Sequence, residues 1–415
     1  MKKRIIASAL ALSFAVPCAF AQNASAVRIS GFGTGALTWT NTDKAEFGRP
    51  NQASGATKDV TTGVDSNFGV QADYAVNSWL SVTGQGLVRK DAQDDFGAEL
   101  AWAFAKARVS DDVAIRVGRM GVPAFMISDY RNVGFANTML RPPAEMYSQM
   151  LFNTVDGADV TWQHSYGDTT YTAQFAVGKS KVDIAGGPTL DGRRLTALNL
   201  VAEHGPLTVR FGRVDGRLAL NGSTSLATLL NSLNAVAAGY RIPQAAQLAS
   251  DIDVHDKKAS FTSLGATLDW NDVVVQSEYA KRKTDSYIND TTSWYVMGGY
   301  RIGKFLPYYS HARLTIDGSV NNGMPAACPA GYPAACTPTL AALSGIVSTL
   351  RYTGVSQGEQ QTDTIGVRWD FYRSLALKVQ FDHVRPNQAS GLMVNAQPGF
   401  HGPVNVGAVA LDFVF

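Results

Sequence analysis

Hydrophobic and polar residues alternate along most of this chain, and a period of two is typical of β-strands with one apolar and one polar face. In the segment NFGVQADYAV (67–76), Phe68 and Val70 lie on one face, whereas Gln71 and Asp73 lie on the other. A short polar turn then leads into WLSVTGQGLVRK, which repeats the alternation. Two such runs joined by a tight turn predict a β-hairpin.

The same unit recurs and gives sixteen candidate strands. They are 27–39, 67–76, 79–90, 98–109, 113–119, 158–164, 169–177, 194–204, 207–213, 260–270, 273–283, 293–300, 305–314, 362–371, 375–384 and 404–415. In two of these runs, 98–109 and 194–204, apolar and polar residues are mixed on both faces. Seven connections are tight turns, whereas most others are longer and reach about forty residues near 215–257 and 315–361. This separation is typical of a transmembrane barrel, which has short periplasmic turns and long extracellular loops.

The two faces of the predicted strands suit lipid and water. Aliphatic and aromatic residues dominate one face, and tryptophans such as Trp79 and Trp270 stand near strand ends, where an interfacial girdle lies. The opposite face carries polar side chains such as Glu278, Lys378 and Asp382. We therefore predict an all-β fold, a transmembrane antiparallel β-barrel of sixteen strands.

The N-terminus has the form of a secretory signal peptide. A basic stretch, MKKR, precedes an apolar run of about a dozen residues and a small-residue cleavage site at Ala19–Ala21. We predict that residues 1–21 are removed and that 22–415 form a single barrel domain. The remaining 394 residues carry a net charge of −1, so the charge gives no argument for a nucleic-acid partner.

Two cysteines remain after cleavage, and both lie in a stretch rich in proline and glycine. Cys328 and Cys336 are eight residues apart, and the stretch offers no histidine or acidic residue as a metal ligand. In an exported chain this spacing predicts a disulfide that stiffens an outer loop, and no metal site.

The exported N-terminus, the rhythm of strands and loops, and the terminal aromatic strand GAVALDFVF together resemble the Gram-negative diffusion porins. The resemblance implies a homotrimer in the outer membrane, surrounded by lipid and lipopolysaccharide. It also implies that the barrel-assembly machinery reads the alternating apolar residues of the last strand, with Asp412 facing water between them. These residues are Phe415, Phe413, Leu411 and Val409.

The resemblance further implies that the third long loop folds into the pore as a constriction. The strand count makes this loop 121–156, which is long and contains charged residues of both signs. A pore selects by its width and by the charge at its narrowest ring. The candidate constriction residues, in the loop and at the preceding strand, are Arg116, Arg119, Asp129, Arg131, Arg141 and Glu145.

Alternation places Arg116 on the polar face of the fifth strand, opposite Ile115 and Val117, with Arg119 at its upper end. Cations also occupy polar-face positions of other strands and are candidates for the lumen wall: Arg28, Arg89, Arg210, Arg368 and Lys378. With these residues we expect an eyelet that is weakly selective or mildly prefers anions. For Arg119 and Asp129 the alternative is a pair that anchors the loop, and for Arg131 and Arg141 it is a solvated position in the vestibule.

Within the fifth long loop, residues 225–252 place leucines at helical spacing. This helix would either cap the barrel rim or gate the mouth. The histidines of the chain are few and no GxSxG-type or HExxH motif appears, so we predict neither an enzyme nor a cofactor. The predicted function is passive diffusion of small hydrophilic solutes, and the alternatives are a substrate-selective uptake channel and a non-conducting adhesin.

Overall fold

The computed structural model describes residues 27–318, 323–350, 358–387 and 389–415, so the predicted signal peptide lies outside the described residues. Sixteen antiparallel strands form one closed barrel, in which each strand is hydrogen-bonded to its neighbours in the chain and the first strand to the last. The fold predicted from the alternation is therefore confirmed. Seven turns of two to four residues lie at one end of the barrel, and the longer loops lie at the other end.

The strands cover the predicted runs and extend most of them towards the loop end. They are β1 Arg28–Thr40, β2 Asn67–Ala75, β3 Leu80–Lys90, β4 Phe96–Arg108, β5 Val113–Gly121, β6 Thr154–Tyr166, β7 Thr169–Asp183, β8 Thr189–His204, β9 Leu207–Asn221, β10 Lys257–Trp270, β11 Val273–Thr284, β12 Asp290–Tyr300, β13 Phe305–Gly318, β14 Gln360–Tyr372, β15 Leu375–Pro386 and β16 Val404–Val414. Because β5 ends later and β6 begins earlier than predicted, the third loop is 122–153.

The loops contain the helices. These are α1 Ala144–Tyr147, α2 Thr224–Gly239, α3 Pro243–Ile252 and α4 Cys336–Leu350, together with a 3-10 turn at Gly134–Ala136. None of the helices in the described part of the chain is both long enough and apolar enough to cross a membrane.

The barrel is apolar outside and polar inside, which is the reverse of a soluble barrel. On β15, Val379 and Phe381 are each 44% exposed on the outer surface. Lys378 and Gln380, which alternate with them along the strand, point inward and are almost completely buried. The outer surface of the strands therefore suits hydrocarbon, and the polar face lines the interior.

The barrel closes where β1 meets β16. The backbones of Gly31 and Phe415 exchange two hydrogen bonds of 3.0 Å, and the register continues to Thr40 opposite Val406. The Phe415 ring lies on the outer surface above Gly31, with its centroid 6.5 Å from that of Phe68. The pairing of the last strand with the first, expected for a closed barrel, is confirmed.

A β-bulge explains the mixed faces of the run 98–109, whereas in the run 194–204 the bulge lies at the first residue and the register from Thr196 to His204 is unbroken. On β4 the register slips by one residue at Ala101, because Gln85 pairs with Trp102 and Gly86 with Leu100. On β8 it slips again at Arg194, whose φ is 48°. Each extra residue moves the following side chains to the opposite face, and so a fixed period of two fails there.

The helices of the fifth and seventh loops pack together at the loop end of the barrel. The buried side of α2 presents Leu226, Leu229 and Leu233, and α2 contacts both α3 and α4. Cys328 and Cys336 form a disulfide with Cα atoms 6.1 Å apart, at the start of α4. The helix predicted over 225–252 is present, but it is divided into two helices, α2 and α3, because Pro243 begins a second helix after a turn at 240–242.

Candidate pore constriction

Loop 3, residues 122–153, folds into the barrel and crosses the lumen. It leaves β5, touches the wall at β9–β11, passes to β14–β16 and β1, and returns along β11–β14. The path is held by charged and polar side chains that point inward from the strands. Loop 3 therefore lies where the resemblance predicts a constriction.

The first anchor holds the start of loop 3 against β9 and β11. Arg210 donates to the carbonyl oxygens of Pro123 at 2.6 Å and Ala124 at 3.0 Å. The carboxylate of Glu278 accepts from the backbone N–H of Met126 at 2.8 Å, and also accepts from the hydroxyl of Tyr147. Both ends of loop 3 thus meet at one buried carboxylate.

The second anchor lies at β14–β16. The Lys378 amine donates to the carbonyl oxygens of Gly134 at 2.7 Å and Asn137 at 2.6 Å, and its nitrogen lies 2.9 Å from an oxygen of Asp412. Arg368 donates to the Asn137 carbonyl at 2.8 Å. A Cβ on Gly134 would lie 2.1 Å from the Asp412 carboxylate, so only glycine fits this approach.

The third anchor is Arg141, whose guanidinium binds two carboxylates. It donates to Asp65 at 3.1 and 2.8 Å and to Asp382 of β15 at 2.8 Å, and it lies 4.8 Å from the centre of the Phe47 ring. Because Asp65 belongs to loop 1, the segment 41–66 between β1 and β2, Arg141 ties together loop 3, loop 1 and the wall. The fork geometry of arginine suits such a junction.

Glu145 lies on α1 and is 1% exposed. It accepts hydrogen bonds from the amide of Gln360 at 2.8 Å and from the hydroxyl of Thr362, both on β14. Burial raises the pKa of the Glu145 carboxyl, and the two donated hydrogen bonds oppose that rise. Glu145 therefore faces the wall and not the water passage.

These contacts correct several sequence predictions. Arg141 and Glu145 are not exposed constriction charges, and Arg141 is not a solvated vestibule residue, because both are buried in loop anchors. The wall cations Arg210, Arg368 and Lys378 point inward as predicted, but loop 3 covers them. Alternation gives the face of a side chain and not what lies over that face.

Two further side chains also depart from prediction. Arg119 lies on the outer face with Ile115 and Val117, and it pairs with Asp156 at 2.6 Å instead of with Asp129. It is therefore excluded from the constriction. Asp412 faces inward, as alternation requires, but it contacts Lys378 and not water.

Arg116 points inward from β5 and is paired with a wall carboxylate. Its guanidinium binds Asp159 of β6 through two nitrogens and lies 5.2 Å from the centre of the Phe104 ring. On the loop side, Asp129 lies in the electric field of Arg116. Burial raises the pKa of the Asp129 carboxyl, and the positive charge of Arg116 opposes this. Asp129 lies beside Gly121 at the loop end of β5, the strand that carries Arg116, so acid and base stand on the same side of the barrel.

Nearer the loop end lies a group of arginines with few counter-charges. A small cavity is lined by Arg49 of loop 1 and by Arg131 and Tyr147 of loop 3. Arg131 donates to Asn153 at 2.5 Å, but its Nε has no hydrogen-bond partner in the described part of the chain. Burial lowers the pKa of the Arg131 guanidinium, and the charges of Arg89 and Arg49 lower it further.

The remaining wall cations differ in their surroundings. Arg89 points inward near the loop end of β3 and pairs with Glu99 at 2.9 Å. Arg28 stands exposed near the turn end of β1, opposite Asp73 in the register. Arg49 and Arg131 line the small cavity near the loop end. In the described part of the chain, no carboxylate lies within ion-pair distance of either of them.

Sequence reasoning missed Asp65 and Arg49 as site residues, because both belong to the irregular first loop and have no periodic signal. Glu278 and Asp382 are on the polar face of their strands as predicted. Their role as anchors of loop 3 was not predicted. The signal that could have suggested this anchoring role is a carboxylate on the inward face of a strand, because a long third loop that folds into the barrel can be held by it.

Comparison with solved structures supports the architecture. OmpT of Vibrio cholerae, an outer-membrane protein, matches with a TM-score of 0.53 at 13% identity over 95% of this chain and 99% of its own. A trimer form of the same protein matches with a TM-score of 0.53 at 14% identity, over 95% and 100%. Salmonella typhi OmpF in complex with daunomycin gives 0.53 at 13% identity, over 94% and 98%. At these identities the likeness shows the fold alone.

No protein-family profile matches the sequence, and no curated protein matches it either.

Proposed function

We propose that this chain is an outer-membrane porin, a water-filled channel for the passive diffusion of small hydrophilic solutes and ions, and that it performs no catalysis. One observation carries the proposal: a barrel with an apolar exterior and a polar interior is crossed by a loop anchored to the wall at three places. An adhesin or a purely structural barrel has no need of a pinned loop inside its lumen.

The arginines at the loop end support a preference for anions. Arg141 is balanced by Asp65 and Asp382, whereas in the described part of the chain no carboxylate lies within ion-pair distance of Arg49 or Arg131. Charge in a low-dielectric constriction acts strongly on the passing ion. An anion entering from the loop end meets this positive field before it reaches Asp129 and Arg116.

The test is single-channel recording in planar bilayers with a salt gradient. We expect an ohmic conductance and a reversal potential that indicates anion preference. The double variant Arg49→Gln/Arg131→Gln should move the reversal potential towards cation preference. The double variant Arg213→Gln/Arg217→Gln, which also removes two positive charges but on the outer face of β9, should leave it unchanged. Absence of conductance from a folded barrel would refute the channel.

The second candidate is a substrate-selective uptake channel. The packing of α2 against α3 and α4 at the loop end favours it, because such a cap narrows the approach to the lumen. If this function is correct, the conductance should saturate as the concentration of one solute rises. Deletion of residues 225–250 should abolish that saturation. Equal blocking by unrelated solutes would exclude it.

We also propose a homotrimer, assembled from barrels that the assembly machinery recognises through Phe415 and its alternating apolar neighbours. The Vibrio cholerae neighbour has a trimer form. On the outer face of β1 and β3, Gly35, Gly84 and Gly86 leave open space where a Cβ would stand. This smooth apolar surface allows close contact between barrels. Mass measurement of the folded protein in detergent tests the trimer directly.

A further inference from the structure

Loop 1 folds into a compact tip, residues 48–55, called the loop 1 tip below. The backbones of Phe47 and Ala56 exchange two hydrogen bonds of 2.9 and 2.8 Å, so the chain enters and leaves the tip at one point. Within the tip, the Gln52 side chain accepts from the backbone N–H of Arg49 at 2.9 Å, and the Gln52 backbone N–H donates to the Arg49 carbonyl at 3.1 Å. The tip is therefore a closed turn with its own hydrogen bonds.

The near side of loop 1 is held by neighbouring parts of the rim. Glu46 exchanges two backbone hydrogen bonds of 2.9 Å with Val394 of loop 8, which joins β15 to β16. The amine of Lys90, at the loop end of β3, donates to the Ser54 hydroxyl at 2.6 Å. These contacts fix the base of the tip beside β1 and β3.

The far side of the tip reaches another part of the rim. The Asn51 amide nitrogen donates to the carbonyl oxygen of Asp183, the last residue of β7, at 2.6 Å, and its amide oxygen accepts from the backbone N–H of Ala185 at 3.4 Å. Ala185 belongs to loop 4, which joins β7 to β8, and these strands are six and seven places from β1 in the ring of sixteen. Loop 1 thus spans the mouth of the barrel from one side almost to the opposite one.

Loop 3 crosses the lumen below the loop 1 tip. Arg49 of the tip lines the small cavity together with Tyr147 of loop 3, so the two loops are in close proximity. Asn51 contacts the end of β7, whereas loop 3 is anchored to inward residues within the strands, such as Lys378. Two segments of the chain therefore cross the same passage at two depths.

We propose that the loop 1 tip is a second size-selective element of the channel, which limits the solutes that enter from the loop end before they reach loop 3. This inference rests on the proposed porin function. A pore selects by its width, and a segment that crosses the mouth divides that width. Because the tip is held at both sides of the mouth, it acts as a fixed bar and not as a hinged lid.

The alternative is a purely structural tie that joins loops 1, 4 and 8 and leaves the passage unaffected. Both roles use the hydrogen bonds of Asn51 and Glu46, so stability measurements do not separate them. The size of the solutes that enter does separate them, because only a bar in the passage changes this size. The experiments below first test the crossing and then the size limit.

The crossing is tested without any conductance measurement. Asn51→Cys/Ala185→Cys is treated with a short thiol-specific cross-linker, and the cysteines of residues 22–415, Cys328 and Cys336, are already joined in a disulfide. We expect an intramolecular cross-link in the folded barrel, identified by peptide mass mapping. Asp59→Cys/Ala185→Cys is the matched control and should give none, because residues 57–61 of loop 1 run beside β1. Equal yields from both pairs, or no product from the first, would overturn the crossing.

The size limit is tested by removal of residues 49–54. Gly48 and Gly55 then form a two-residue turn between the paired residues Phe47 and Ala56, and glycine pairs suit such a hairpin turn. In planar bilayers we expect a higher single-channel conductance than in the wild type. We also expect that larger polyethylene glycols, added at the loop end, enter the channel.

The matched control for the deletion is Lys58→Gln. Like the deletion, it removes one net positive charge from loop 1, but it leaves the tip intact, since Lys58 pairs with Asp43 at the surface. Its polymer exclusion limit should equal that of the wild type. An unchanged limit in the deletion variant, or an equal shift in Lys58→Gln, would overturn the size-selective role even if the cross-link forms. A folded wild-type barrel that conducts nothing would refute the porin itself, whereas the cross-linking result would still stand.

Discussion

The amine of Lys378 and the carboxylate of Asp412 lie 2.9 Å apart beneath loop 3, and both side chains are almost completely buried. Lys378 uses its remaining hydrogen bonds on the carbonyl oxygens of Gly134 and Asn137. Asp412 also accepts a hydrogen bond from Thr34 of β1. Asp412 of the last strand thus pairs with Lys378 of β15, and Lys378 in turn holds loop 3.

Removing one member of this pair should destabilise the barrel and loosen loop 3. Lys378→Met leaves the Asp412 carboxylate buried without its partner, and breaking a buried pair costs about 3–5 kcal/mol. We expect a lower unfolding midpoint in denaturant and more current fluctuation in single-channel records. The double variant Lys378→Met/Asp412→Leu should recover part of the stability, because no unpaired charge remains. If the double variant loses as much free energy of unfolding as the two single variants together, the two residues are not coupled.

The closure of the barrel predicts a specific glycine requirement. A Cβ on Gly31 would lie 2.2 Å from the Phe415 ring, whereas a Cβ on Gly35, also on the outer face of β1, would meet no atom within 4 Å. Gly31→Ala should therefore displace Phe415 and destabilise the folded barrel by about 1–3 kcal/mol. Gly35→Ala is the matched control and should behave as wild type. Folded fraction and unfolding midpoint in detergent measure both, and equal effects would show that the ring does not restrain the seam.

Arg116 and Asp159 should have opposite effects on ion selectivity. Their charges cancel in a bidentate pair, so Arg116→Gln leaves a negative charge on the wall and Asp159→Asn leaves a positive one. We expect the reversal potential to move towards cation preference in the first variant and towards anion preference in the second. Shifts in the same direction, or none in either, would place the pair away from the ion path.

The disulfide should act on the seventh loop and not on the barrel. Cys328→Ser/Cys336→Ser releases the start of α4, which the bond ties to the loop, and disulfides typically contribute about 2–4 kcal/mol. We expect faster cleavage of this loop by added protease, with an unchanged unfolding midpoint of the barrel strands. Cleavage at the wild-type rate would indicate that α4 is held by its packing against α2 alone.

The alternation of residues determined the strands, their faces and the closed topology. A period of two fixes the side of the sheet on which each residue lies, and the spacing of turns fixes the order of neighbours. This is why Arg116, Lys378 and Arg368 could be placed inward from the chain alone. It failed at Ala101 and Arg194, because a bulge inserts one residue that no periodic count registers.

Only the tertiary structure decided which inward charges face water. Lys378 and Arg116 have the same sequence signature, yet loop 3 covers the first completely, whereas the side chain of the second stays 15% exposed. Arg49 enters the site from an irregular loop, and Arg131 meets it because loop 3 crosses the lumen. These encounters depend on where an irregular loop lies in space, which is set by buried contacts between residues far apart in the chain. Local periodicity contains no information about them.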